Sequence, residues 1–203
     1  MTVADRRQSL REALIAAAEE AITAEGLGGL RARDLAKQVG CALGAIYNVF
    51  ADLDELILAV NARTLAALEQ RLTAAPASAS GSERDQAVAH LVELGLAYTD
   101  FAAASPLRWR AVFEHRLPRG REVPEWFVGE QARLFDYVNA PLQVLRPGLA
   151  PAERALLARS LFSAVHGVVL LGLEEKLQAM PLDVLRAQVR AIVTATARGL
   201  SQD

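Results

Sequence analysis

Gly40 divides LRARDLAKQVGCALGAIYNVF, residues 30–50, into a short amphipathic segment and a short apolar one, with no room for a long element on either side. Upstream, Leu35, Ala36 and Val39 share one helical face over Arg31 to Val39, and Gly40 stands where a helix C′ glycine belongs. Downstream, CALGAIYNVF by itself fits a strand as well as a helix. Its continuation decides the matter. Asp52-Leu-Asp-Glu55 combines an N-cap residue with an acidic first turn, and the helical pattern then runs to about Leu72. The stretch therefore reads as short helix, tight glycine turn, short helix, long helix.

Alanine and leucine dominate the rest of the chain while β-branched and aromatic residues are sparse, so an all-α fold of about nine helices is expected. Ser9-Leu-Arg-Glu12 has capping-box spacing and reads as the start of the first helix, which Gly26, Gly28 and Gly29 end. From Ala74 the composition shifts to APASASGSE, a linker or loop. Helical patterns follow over Glu83 to Ala104, Leu107 to Leu117, Trp126 to Leu145, Pro151 to about Gln178 and Leu182 to Leu200. Two domains are expected, one over 1–54 and a longer helical one over 55–203.

Two short helices around a tight turn form a helix-turn-helix pattern, whose second helix fits a DNA major groove about 12 Å wide. Such a helix must be apolar behind and small or hydrogen-bonding in front. Ile46 and Val49 face back. Gly44 and Ala45 let the backbone approach DNA closely, and Tyr47 and Asn48 offer a hydroxyl and an amide. Arg31 and Arg33, near the start of the preceding helix, suit phosphate contacts, and Lys37 is a third cation for that role. The same spacing also fits the corner of a helical bundle with Tyr47 and Phe50 as core aromatics. The formal net charge of −2 argues against indiscriminate nucleic-acid binding but leaves room for a local basic patch.

Over LRARDLAKQVGCALGAIYNVFADLDELILAV, residues 30–60, the chain resembles the tetracycline-repressor (TetR) family of transcriptional regulators, and the GAIY-x-x-F string from Gly44 to Phe50 is similar to the family's recognition helix. The resemblance implies a homodimer that reads a palindromic operator with one recognition helix per half-site, with Arg33, Gly44, Ala45, Tyr47 and Asn48 as DNA contacts. It also implies a repressor that a small effector releases by shifting the balance between two conformations. Two positions depart from the family pattern. Ala42 stands where a Ser or Thr is frequent, and Leu53, between Asp52 and Asp54, where a lysine is frequent. Fewer phosphate contacts imply moderate operator affinity with a shallow salt dependence.

The C-terminal part says less. Val165-His166-Gly167 resembles the Trp-His-Gly (WHG) motif of one class of TetR C-terminal domains, with valine in place of the tryptophan. Phe101, Trp109, Phe113, Trp126 and His166 are the candidate lining of a mostly apolar effector pocket with one polar anchor; plain core packing explains each of them equally well. The nearly all-apolar helix within 151–178, together with 182–200, suggests a subunit interface, where Gly167 and Gly172 would permit close approach, although a central helix packed within one chain explains the same pattern. No cofactor or metal site is read: there is one cysteine, Cys41, and no His/Cys cluster at ligand spacing. His90, His115 and His166 with Asp100 or Glu114 lack a nucleophile elbow or phosphate loop beside them, so no enzyme is expected. Without a signal-like h-region or a membrane-spanning run, a soluble cytoplasmic protein is expected. The rival reading is a helical small-molecule-binding protein that has lost its operator.

Overall fold

The computed structural model describes residues 2–76, 80–174, 178 and 180–200. These form nine α-helices, α1 (Val3–Glu25), α2 (Ala32–Val39), α3 (Leu43–Tyr47), α4 (Leu53–Thr73), α5 (Glu83–Ala104), α6 (Pro106–Glu114), α7 (Glu125–Leu145), α8 (Pro151–Gly172) and α9 (Leu182–Leu200), with one 3₁₀ turn over Leu27–Gly29. The described residues contain no strand. Of the expected linker, residues 77–79 lie outside the described residues.

Several boundaries differ from the sequence reading, each for a local reason. Helix α1 begins at Val3, not Ser9, because Thr2 and Asp5 form an earlier capping box: Asp5 N–H donates to Thr2 Oγ1 (3.1 Å) and Thr2 N–H to Asp5 Oδ2 (2.7 Å). Pro106 does not merely stop α5; it occupies the first turn of α6, where its missing N–H costs nothing. Helix α6 in turn ends at Glu114 instead of Leu117, since His115 is already extended (ψ 125°) and Pro118 disfavours helical backbone at Leu117. Helix α8 ends at Gly172, where the carbonyl accepts the N–H of Met180 (2.8 Å); of the expected extension to Gln178, residues 175–177 lie outside the described residues.

The helices fall into two compact units. The first comprises Met1–Ala66 and Ser105–Val128. Its core joins Leu14, Ala18 and Ile22 of α1, Leu35 of α2, Ile46 of α3, Phe50 between α3 and α4, Leu56 and Val60 of α4, and Ala111 of α6. Helix α6, remote in sequence, is thus part of the same core as the helix-turn-helix. Polar contacts tie it in as well. Arg108 of α6 pairs with Glu19 of α1 (2.7 Å) and donates through Nε to Thr64 of α4 (3.0 Å), and the buried Asn61 donates to the carbonyl of Ala111 (3.2 Å).

The second unit comprises Ala67–Ala104 and Gly129–Asp203. Helix α9 turns Leu185, Val189, Val193 and Ala197 inward against α5 and α8. Gly95 lets α9 approach α5, since a Cβ there would lie 3.2 Å from Val189 Cγ1. Ion pairs flank this contact at Arg186–Asp100 (2.6 Å) and Arg190–Glu93 (3.7 Å). Gly172 plays the matching role for α8: a Cβ would meet Leu185 Cδ1 at 2.6 Å. This corrects the expectation that Gly172 serves a subunit interface, because the close approach is within the chain. Gly172→Val should lower the unfolding free energy by about 1–3 kcal/mol, the usual cost of overpacking a buried helix crossing, as measured by urea denaturation.

Candidate nucleic-acid interface and effector site

Helix α2 ends on Gly40 in the left-handed conformation (φ 74°), and the Cys41 N–H donates to the Ala36 carbonyl (2.9 Å) to close the turn into α3. Ala42 caps α3 without a side-chain hydrogen bond. Within α3 and its exit, Ile46, Val49 and Phe50 are buried, and Arg11 of α1 lies over the Phe50 ring at 5.2 Å. Phe50 is therefore core. Tyr47, at 49% exposure, is not.

All but one of the proposed DNA contacts are exposed: Arg31, Arg33 and Lys37 around α2, and Gly44, Tyr47 and Asn48 around α3, with Ala45 half-buried. Arg31 is itself the N-cap residue of α2. Nothing lies within 4 Å of a Cβ built on Gly44, and its φ is not positive. Folding thus places no demand for glycine at that position.

The acidic start of α4 is internally satisfied. Glu55 N–H donates to Asp52 Oδ1 (2.8 Å), and Ala51 N–H donates to Glu55 Oε2 (2.7 Å). That backbone bond is the main reason the Asp52 carboxyl sits below the usual aspartate range. Arg121, from the loop after α6, pairs with Asp52 and stands 3.7 Å from Asp54, and His115 Nε2 is 2.9 Å from Asp54 Oδ1.

The five candidate pocket residues divide between the units. Trp109, Phe113 and Trp126 belong to the first. Trp109 is 1% exposed and stacks edge-on with Phe113 (5.8 Å), which makes it a core residue; Phe113 and Trp126 stand at the surface, Trp126 edge-on to the buried Phe127. Phe101 and His166 belong to the second unit and are half-buried. There His166 Nδ1 is 2.6 Å from the Tyr98 hydroxyl, beside Phe162, which also stacks edge-on with Tyr98 and with Phe135. The sequence reading missed Tyr98, Phe135 and Phe162 as partners of His166. The available signal was Tyr98 alone, a polar-tipped aromatic on the buried face of α5.

Burial lowers the proton affinity of both His115 and His166, and at His115 the Asp54 carboxylate offsets this in part. Each imidazole is therefore held below the ordinary value of 6.5. The sign follows from linkage: the unfolded chain takes up these protons first, so stability present above about pH 6.5 is lost progressively as the pH falls below it. Thermal melts should show a lower midpoint at about pH 5.5 than at about pH 7.5, and the double variant His115→Gln, His166→Gln should show a smaller difference. Equal midpoints for the wild-type protein at the two values would contradict burial of the rings.

Among the described residues, no group of three or more His, Cys, Asp or Glu side chains could hold a metal ion. Among the described residues one helix, α8, is long and apolar enough to cross a membrane, with mean hydropathy 1.6 over its most apolar 18 residues. Its exposed positions include Arg159, Ser160 and Ser163, an unsuitable surface for hydrocarbon.

Residues 14–60 match the family model described as bacterial regulatory proteins, tetR family, and residues 91–196, just over half the chain, match that of the tetracyclin repressor-like C-terminal domain. Solved structures agree in fold. A protein of unknown function from Rhodococcus sp. RHA1 is 24% identical with a TM-score of 0.71, covering 95% of this chain and 96% of its own. A multidrug binding protein, EbrR, complexed with imidazole is 21% identical with a TM-score of 0.62, covering 91% and 93%. A TetR-family transcriptional regulator from Bordetella parapertussis 12822 is 16% identical with a TM-score of 0.60, covering 90% and 93%. No curated protein matches the chain. The fold and the exposed helix-turn-helix define a DNA-binding, ligand-responsive transcriptional regulator, and the chain belongs to the TetR family.

Proposed function

We propose that the protein is a homodimeric, cytoplasmic repressor that reads a palindromic operator with α3 of each protomer and releases it when a small, largely apolar effector binds. One observation carries the DNA reading: Gly44, Tyr47 and Asn48 are exposed on a helix whose other face is core, and the fold requires none of them. Residues that packing does not explain are left for a partner, and a small residue followed by hydroxyl and amide side chains suits base edges and phosphates. Arg31, Arg33 and Lys37 supply cations for the flanking phosphates, with Ala45 against the groove.

The dimer reading rests on α8 and α9. Helix α8 is very apolar, yet only 28% of its most apolar window is buried within the chain. Leu156 and Leu171 are 66% and 57% exposed, and Gly167 between them has open space at its Cβ position. Ala187, Ala191 and Ala195 of α9 line a shallow groove together with the charged Asp183, Arg186, Arg190 and Arg198, small residues flanked by charge that leave room for an opposing helix. A second copy that buries both helices satisfies this surface and supplies the two-fold axis that palindromic readout needs. Leu156→Glu with Leu171→Glu should convert the dimer into a folded monomer, seen by sedimentation velocity, and weaken operator binding with it. A dimer that survives both changes would place the interface elsewhere.

For the effector, the aromatic cluster of Tyr98, Phe135 and Phe162 around His166, with Phe101 on the same unit, favours an apolar or aromatic molecule carrying one hydrogen-bonding group. The structural neighbour described as a multidrug binding protein is consistent with such a ligand class. Trp109, Phe113 and Trp126 are the candidates from the first unit. We assign DNA binding to residues 1–54 and effector binding and dimerisation mainly to 55–203. Titration of the protein–DNA complex with a panel of aromatic compounds tests this: release by one of them, weakened by Tyr98→Phe or His166→Ala, supports the assignment, and release unaffected by either change removes it.

A further inference from the structure

The helix-turn-helix lacks a phosphate-anchoring cation at the start of α4, where Leu53 stands between two aspartates. The loop after α6 brings one there. Pro118 to Arg121 forms a tight turn, with the Arg121 N–H donating to the Pro118 carbonyl (3.1 Å) and Gly120 at φ 84°, the left-handed position that glycine occupies without strain. Arg121 is thereby set against Asp52 and Asp54, both contacts made through Nη1. Its Nε and Nη2 donate to nothing among the described residues. Arg119, at the tip of the turn, is exposed.

We propose that Arg121 and Arg119 contact the DNA phosphate backbone, so that a loop outside the helix-turn-helix supplies the anchor that α4 lacks. The proposal rests on the operator-binding reading above. Three features support it. Asp52 is four residues beyond Asn48, at most about 14 Å of chain, so Arg121 lies beside the surface assigned to DNA. A cation at a helix N-terminus opposes the helix dipole, so the site is not one that α4 itself favours for arginine. An exposed Arg–Asp pair also adds little stability, whereas carboxylates that hold one edge of a guanidinium orient the other for a second acceptor.

The test uses full-length protein and a duplex selected by the wild type from a random-sequence library, with affinity measured across a range of salt concentrations. Each lost phosphate contact should flatten the slope of log K against log salt by about 1 per protomer, hence about 2 per dimer, for Arg121→Gln and again for Arg119→Gln. Arg121→Lys should retain most of the slope. Because Arg121→Gln also exposes Asp52, the double variant Asp52→Asn, Arg121→Gln separates the causes: the flattened slope persists if the contact is direct. A slope restored to wild type in that double variant, or never changed by Arg121→Gln, overturns the proposal while leaving operator binding intact. A wild-type protein that selects no duplex removes the operator reading and this inference together.

Discussion

Tyr47→Ala should weaken DNA binding enough to abolish it at concentrations that just saturate the wild type, and should leave the melting temperature unchanged. The side chain is half exposed and takes no part in the core beneath it, so truncation removes no packing that the fold relies on. Losing a base-edge or groove contact costs about 1–3 kcal/mol per half-site, and a dimer loses two, which weakens binding about 30-fold or more. Gly44→Leu gives the same separation for the opposite reason. The added side chain meets open space within the protein and removes a glycine from a helix, so folding is unharmed or slightly favoured, while the backbone can no longer approach DNA. Ile46→Ala is the counterpart. That residue is fully buried, and its truncation costs about 2–5 kcal/mol of folding stability, losing DNA binding only through the fold. Paired affinity and melting measurements on the three variants distinguish a recognition helix from a bundle corner; a Tyr47→Ala protein that binds DNA normally would favour the corner.

Trp109→Ala should be the most damaging of the aromatic substitutions, at about 3–5 kcal/mol. Trp109 is buried in the first unit beside Phe113, on the helix whose Arg108 pairs with Glu19 and Thr64. Against the usual total stability of about 5–15 kcal/mol, that loss is between about a fifth and the whole of it. Trp126→Ala, at a half-exposed site, should change stability by no more than about 0.5 kcal/mol. Urea unfolding of the two variants checks the contrast. Equal destabilisation would mean that Trp126 is held by packing its exposure does not reveal. An intact Trp109→Ala protein with altered effector response would mark Trp109 as pocket lining.

The helix-turn-helix was legible because its signals are local: a C′ glycine, an apolar face at helical spacing and an acidic cap lie within a few dozen residues. The beginning of α1 was not. Residues 3–9 are all exposed, so hydrophobic periodicity carries no signal there, and two capping boxes of equal spacing compete for the start. The internal face of α6 was hidden for another reason. Arg108–Thr64 and His115–Asp54 join residues 44 and 61 positions apart, and nothing in the spacing of a single sequence pairs them. The aromatic list shows the same limit. Residue type marked Trp109 and Trp126 alike, but only the fold separates a core indole from a surface one, and only the fold brings Tyr98 and Phe162 to His166. The aspartates on either side of Leu53 are paired with Arg121 and His115, contacts that no local sequence signal announces.

The central claim is that two copies of this chain read DNA through α3, and sequence selection tests it most directly. Purified protein is incubated with a random duplex library at moderate salt, and the bound fraction is sequenced over successive rounds. The account predicts enrichment of an inverted repeat whose half-site centres lie about one helical turn, or a multiple of it, apart, with two protomers bound per duplex. Enrichment of a lone half-site with one protomer bound, or no enrichment at all while the protein remains folded, would contradict it.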